Sequence, residues 1–252
     1  MALIDMKFYS ESLGMQTEIY VIVPQKNTKG EIGLQNNTED NKYKCLYLLH
    51  GLSDDHSIWL RRTSIERYAS KYGICIVMPN CHKSFYTDMK YGNKYYTYIA
   101  KELPCVIREF FKVSEKPEDN YIAGQSMGGY GALKIALKEH GTFCAAAGLS
   151  SVADIWNDYF ERVRIPIWGE SREIPKEDDL FWLTEKVNEY PNKPRLLMVV
   201  GREDTFYEDN VRLKDKIESL DYDYTYNEIP GTHCWEFWDK HIPEVLEWMF
   251  EK

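Results

Sequence analysis

Long hydrophobic runs are missing from this chain. The longest wholly apolar stretches, such as Phe143 to Leu149, fall far short of the roughly 20 residues that a membrane-spanning helix needs, so no membrane partner is expected. Positive charge is also in deficit. Against 40 acidic residues stand 31 Lys and Arg, for a net charge of −9, and no Lys/Arg block offers an electrostatic footprint for nucleic acid. Cysteine is sparse and unpatterned: Cys45, Cys75, Cys81, Cys105, Cys144 and Cys234 include no C-x-x-C pair, whereas a disulfide framework belongs to much smaller secreted chains. Cys45, Cys75 and Cys144 fall inside apolar runs, where a free thiol behaves as a small hydrophobe, so reduced thiols in a cytoplasm are expected. The opening Met1-Ala-Leu-Ile-Asp-Met-Lys7 has no apolar core followed by small residues, so no secretory leader is expected. H-E-x-x-H, Cys/His clusters, G-x-x-x-x-G-K-[ST] and G-x-G-x-x-G are all absent, and no metal or cofactor is expected. Asp54-Asp55-His56 reads as a solvated loop, since consecutive residues do not readily converge on one ion.

What is present is an alternation of short apolar runs with helical patterns. Cys45–Leu49, Ile74–Met78, Tyr121–Ala123, Phe143–Leu149 and Leu196–Val200 are nearly continuous in apolar residues, as strands covered on both faces are. Between and after them, Ile99, Leu103, Val106, Ile107 and Phe110 recur at helical spacing, with Pro104 expected to kink that helix or open a new turn. Tyr130–His140 and Cys234–Phe250 are the next helices, the latter striped by Trp238, Ile242, Val245, Leu246 and Met249. Met15–Pro24 reads as an antiparallel strand paired with Lys7–Ser10, and the polar stretch from Gln25 to Lys42 as an exposed loop. The fold class expected is α/β: one domain over residues 1–252, a mainly parallel central sheet with helices on both faces, and antiparallel strands at the start. Residues 152–194, too long for a one-helix crossover, are expected as a small helical cap-like insertion over the sheet or as a structural crossover.

The chemistry concentrates in Tyr121-Ile-Ala-Gly-Gln-Ser-Met-Gly-Gly-Tyr130. It contains Gly124-x-Ser126-x-Gly128 between an apolar strand and a helical pattern, the setting in which a serine on a strained turn exposes its hydroxyl at a helix N-terminus. Ser126 is therefore the expected nucleophile. It needs a base and an acid, which in this arrangement follow in the order serine, acid, histidine. Of the 6 histidines, His233 lies in a Pro-Gly loop between an apparent last strand, Asp223–Ile229, and the last helix, where the base belongs. His50 is expected to shape the loop beside Gly51. For the acid, Asp204 lies just past the Leu196–Val200 strand; Glu203 is the runner-up and Asp209 is further off. The backbone N–H groups of Met127 and Leu52 are the expected oxyanion donors. Trp59, Tyr86, Trp156, Tyr159 and Trp168 are candidates for substrate contact, against the alternative that large aromatics belong to the core.

With these residues placed, the chain resembles the esterase D-like branch of α/β-hydrolases. Within that branch it is most similar to bacterial tributyrin esterases, relatives of the feruloyl and acetylxylan esterases of carbohydrate esterase family 1. The segments that carry the likeness are His50-Gly-Leu-Ser-Asp54, Trp59-Leu-Arg-Arg-Thr63, Val77-Met-Pro-Asn80, Tyr86-Thr-Asp88 and Tyr95-Tyr-Thr97 with Glu102-Leu-Pro104. Further along come Ala123 to Gly131, Glu203-Asp204 with Tyr207-Glu-Asp-Asn210, and Gly231-Thr-His233 with Phe237-Trp238. The resemblance implies a metal-free serine esterase acting on a small ester substrate with a short acyl or hydroxycinnamoyl group, and does not fix the oligomeric state between a single copy and a homo-oligomer. Gln125 stands where S-formylglutathione hydrolases have histidine. A thioesterase of that type, an acyltransferase with the same triad and a catalytically silent binding module are the rival expectations.

Overall fold

The computed structural model describes residues 1–25, 42–170 and 174–251; the loop expected between Gln25 and Lys42 lies almost wholly outside the described residues. Two long antiparallel strands open the chain, β1 (Ala2–Ser10) and β2 (Met15–Val23), joined by a turn in which Gly14 takes the left-handed φ of 66° that glycine tolerates. β1 is longer than the Lys7–Ser10 segment expected. Its Ile4, Met6 and Phe8 face the core while Leu3, Asp5, Lys7 and Tyr9 alternate outward, the period of a half-covered strand.

Among the described residues six further strands follow: β3 (Cys45–Leu49), β4 (Cys75–Pro79), β5 (Asn120–Gln125), β6 (Ala145–Leu149), β7 (Arg195–Gly201) and β8 (Tyr224–Ile229). They complete one eight-stranded sheet in the order β1-β2-β4-β3-β5-β6-β7-β8, in which β2 runs antiparallel to β4 and every pairing from β4 to β8 is parallel. Every residue of β3, β4, β5 and β6 is buried, which is why these segments read as continuous apolar runs.

The crossovers carry α1 (Ile58–Arg62), α2 (Ile65–Ser70), α3 (Tyr95–Thr97), α4 (Leu103–Phe110), α5 (Met127–Lys138), α6 (Glu161–Trp168), α7 (Leu180–Val187) and α8 (Tyr207–Glu218), and α9 (Trp235–Phe250) follows the last strand. Alternate strand residues feed two cores. Tyr47 and Leu49 join Leu103, Tyr130, Leu133, Leu183 and Leu213 on one face, while Leu46 and Leu48 join Trp59, Ile65, Trp238, Ile242 and Leu246 on the other. The kink expected at Pro104 takes the form of a π-turn over Tyr98–Glu102 leading into α4, because a proline cannot donate to the carbonyl four residues back. The architecture is the α/β-hydrolase fold.

Between β6 and β7, a short turn at Asp158–Phe160 leads into α6, and a second at Lys176–Asp178 leads into α7. Phe160, Ile167, Leu180, Leu183 and Val187 are buried in the same core as α5, and α7 packs on both α5 and α8.

Candidate active site

Ser126 stands between the last residue of β5 and the first of α5 with φ 54° and ψ −118°, a left-handed conformation that side chains other than glycine rarely take. Neighbouring backbone enforces the two glycines. A Cβ on Gly124 would meet the Gly128 carbonyl carbon at 2.4 Å, and one on Gly128 would meet the Leu49 carbonyl oxygen at 2.4 Å. The Ser126 N–H is tied to Leu149 O at 2.9 Å and its carbonyl accepts from Val152 N at 3.2 Å, so β6 fixes the turn from outside.

The acid and base ride on adjoining strands. Past β7, Asp204 N donates to Gly201 O (3.1 Å), and the Asp204 carboxylate accepts the Phe206 N–H (2.8 Å) just before α8. Past β8, the loop holding His233 is stapled back: Glu203 N donates to Gly231 O (3.0 Å) and Gly231 N donates to Glu203 Oε2 (2.6 Å). Glu203, the alternative acid, is thus committed to backbone. Asp209 engages Arg212 (2.7 Å) and Asn157 (2.9 Å).

These loops bring three side chains together. His233 Nδ1 lies 3.1 and 3.0 Å from the two Asp204 oxygens, and His233 Nε2 lies 3.0 Å from Ser126 Oγ. A carboxylate only accepts, so the imidazole proton sits on Nδ1 and the Nε2 lone pair faces the hydroxyl. Phe206 and Trp238 meet the imidazole edge-on at 5.0 and 4.9 Å, holding the ring plane. Burial pushes the Asp204 carboxyl up, but the His233 bond and charge, the Phe206 N–H and the Ser150 side chain outweigh it and hold the group below the usual range, so it is anionic at neutral pH.

The donor loop is braced more heavily than the sequence suggests. Met127 opens α5, so its N–H is among the first-turn donors with no partner within the helix. Leu52 follows Gly51, whose Cα rests against Gln125, and Gln125 Nε2 donates to Asp54 Oδ2 at 2.8 Å. His50 has the role expected of it: Nδ1–H donates to Gly51 O (2.7 Å) while Nε2 accepts the Cys81 N–H (2.9 Å), which fixes one neutral tautomer. Burial pulls its pKa down from 6.5 to about 4. The unfolded chain takes up that proton near pH 6.5 and the folded chain does not until about pH 4, so stability drains away across that interval as pH falls, by on the order of 3 kcal/mol in all. Urea unfolding at pH 7 and pH 4.5 should show a steeper acid loss for the native chain than for His50→Asn; equal slopes would contradict this.

A cavity of about 500 Å³ opens on the site, lined by Leu52, Ser126 and His233 together with Tyr159, Phe160, Phe206, Trp235 and Trp238 and the polar Ser53, Asp54, Arg62, Gln125 and Glu236. Of the five aromatic candidates for substrate contact, only Tyr159 is in this lining. Trp156 is exposed outside it. Trp59, Tyr86 and Trp168 are buried, and each spends its polar atom inside the protein: Trp59 Nε1 on Leu49 O (3.0 Å), Tyr86 OH on His50 O (2.8 Å) and Trp168 Nε1 on Asp178 Oδ2 (2.8 Å). Trp59→Phe, which removes a buried donor to the Leu49 carbonyl and leaves a void in its place, should cost about 1–3 kcal/mol of stability and shift KM for aromatic and aliphatic esters equally, as denaturation and steady-state kinetics would report. Phe160, Phe206, Trp235 and Trp238 line the cavity without being among the candidates; the sequence signal for them is proximity, Phe160 beside Tyr159 and the others within a few positions of Asp204 or His233.

The sequence profile of the family described as "Putative esterase" matches residues 10–249. An acetyl esterase of Caldicellulosiruptor saccharolyticus is 30% identical over 99% of this chain and 98% of its own length. Among solved structures, the fluorophosphonate-binding serine hydrolase FphF of Staphylococcus aureus superposes with a TM-score of 0.88 at 35% identity, covering 100% of this chain and 99% of that one. The S-formylglutathione hydrolase FrmB of Staphylococcus aureus superposes with a TM-score of 0.84 at 33% identity, covering 99% of each chain.

Proposed function

The chain belongs to the esterase family and is a serine carboxylic ester hydrolase, and from that premise we propose that it removes short acyl groups from small alcohols through an acyl intermediate on Ser126. One observation carries the reading: the unbroken line from buried Asp204 through His233 to the Ser126 hydroxyl, opening on a cavity of about 500 Å³. Ser126 Oγ attacks the ester carbonyl carbon as His233 Nε2 takes the hydroxyl proton. Negative charge develops on the carbonyl oxygen, where the Leu52 and Met127 N–H groups receive it. Collapse of the tetrahedral adduct breaks the bond to the alcohol, which leaves with the proton from His233. Water, deprotonated by the same nitrogen, then releases the acid. Asp204 holds the Nδ1–H tautomer and stabilises the imidazolium formed on the way.

Support for a small acyl group comes from the lining: of the five aromatics expected to grip a hydroxycinnamoyl ring, Tyr159 alone is in the cavity wall, which it shares with Phe160, Phe206, Trp235 and Trp238. Residues 152–194 act as the cap of a single domain, a reading supported by Tyr159 and Phe160 in the cavity wall. All six thiols are free, which supports a reducing, cytoplasmic setting. The likeness to an S-formylglutathione hydrolase supports a second reading, cleavage of small thioesters. A panel of acetyl, butyryl and feruloyl esters with S-formylglutathione separates the two. Acetyl or butyryl esters should give the highest kcat/KM, whereas a wide lead for the thioester would favour the second reading. Transfer to an added alcohol in place of water would indicate an acyltransferase, and failure of Ser126 to take a phosphonate label would leave a silent binding module.

A further inference from the structure

Lys134 has no exposed side-chain surface, sits about two turns along α5 from Ser126, and plays no part in the chemistry above. Its ammonium has three N–H groups and finds three acceptors: Phe85 O at 3.1 Å, Thr87 Oγ1 at 2.6 Å and Asp178 Oδ1 at 3.3 Å. Asp178 is itself a junction. Its Oδ2 accepts the Trp168 indole N–H (2.8 Å), its carbonyl accepts the Tyr130 hydroxyl (2.6 Å), and Lys138 Nζ approaches Oδ1 at 3.7 Å. One buried ion pair therefore ties the nucleophile helix α5 to the end of α6, to the turn before α7 and to the loop at Phe85.

That loop leads to the cavity. Phe85 is held at a left-handed φ of 51°, and its ring packs on Tyr130 (5.8 Å), Trp168 (6.1 Å) and Phe160 (5.1 Å). Phe160 lines the cavity, whereas Lys134 and Asp178 do not. A buried ion pair is a weak source of stability, since two apolar side chains in its place do as well or better, but it holds its partners to one geometry. We infer that the Lys134–Asp178 pair positions Phe160, through Phe85 and Trp168, as the wall that limits the length of the acyl group. Burial draws Lys134 down to about 8 and would raise Asp178, but the Lys134 charge and the Trp168 bond hold Asp178 below the usual range, so the pair is ionised at neutral pH.

The inference rests on the esterase reading of the cavity, and the test keeps the two apart. Four variants are compared with the unsubstituted chain: Lys134→Met with Asp178→Asn, Trp168→Phe (which removes the indole N–H to Asp178 and trims the ring that packs on Phe85), Phe160→Ala, and Phe160→Ala added to the neutralised pair. The readouts are kcat and KM for p-nitrophenyl acetate, butyrate and hexanoate, and hydrogen exchange of residues 158–168. The neutralised pair should raise the hexanoate-to-acetate ratio of kcat/KM by about tenfold, through KM rather than kcat, and speed exchange in that segment. Trp168→Phe should shift the ratio in the same direction by less. Phe160→Ala should reproduce the full shift, and adding it to the neutralised pair should give no further change. One common factor for all three esters, unchanged exchange, or additive shifts would overturn the anchor while leaving the esterase reading intact. Absence of hydrolysis of every ester by the unsubstituted chain would overturn both. Trp168→Phe keeps the question answerable if the double variant fails to fold.

Discussion

Ser126→Ala is expected to cut kcat by on the order of a million-fold, His233→Ala by about as much, and the two together by no more than either alone. Non-additivity is the sharper part of this expectation. The 3.0 Å contact between His233 Nε2 and Ser126 Oγ makes the two side chains one device, since without the oxygen there is nothing to deprotonate and without the nitrogen the hydroxyl stays protonated. What should survive is the contribution of binding and of the proposed oxyanion donors, the N–H groups of Leu52 and Met127, which neither substitution touches. Steady-state hydrolysis of p-nitrophenyl acetate by both single variants and the double, with circular dichroism to establish folding, is the measurement. Independent, multiplying losses would mean that the two residues do not act together.

Asp204→Asn comes next, with an expected loss of about 10⁴-fold in kcat at little cost to KM. The asparagine oxygen can still accept the Phe206 N–H that Asp204 holds at 2.8 Å, so the turn into α8 survives. Its amide N–H₂, however, can face His233 Nδ1 as a donor, which moves the imidazole proton to Nε2 and turns it against the Ser126 hydroxyl. Glu203→Gln is the control within the same loop, because Glu203 serves the Gly231 N–H (2.6 Å), and its neutral counterpart should lose far less. Comparable losses for the two variants would remove the distinction between Asp204 and its neighbour.

The parts of the fold that the sequence discloses are those where backbone geometry restricts the choice of residue. A Cβ on Gly124 or on Gly128 would come within 2.4 Å of neighbouring backbone, so the turn around Ser126 can be read from spacing alone. The parallel strands β3 to β7 are legible because burial on both faces demands continuous apolar residues. The start of β1 is hard to read because its period-two pattern places Leu3 and Tyr9 among the outward residues, which blurs the alternation. The aromatic candidates are hard to place for a different reason. An indole N–H or a tyrosine hydroxyl is needed equally for gripping a ligand and for satisfying a buried carbonyl, and nothing local to Trp59, Tyr86 or Trp168 tells the two apart. Lys134 is invisible for a related reason: its three acceptors lie on residues 44 to 49 positions away along the chain.

The sheet order has a mechanical consequence. Leu52 and Ser126 follow the hydrogen-bonded neighbours β3 and β5, while Asp204 and His233 follow the neighbours β7 and β8, and β6 alone bridges the two pairs. Each pair of loops is therefore held in register by its own two hydrogen-bonded strands. The spacing between the pairs is set through β6, so a shift of that one strand would part His233 from Ser126 while leaving Leu52 beside Ser126 and Asp204 beside His233.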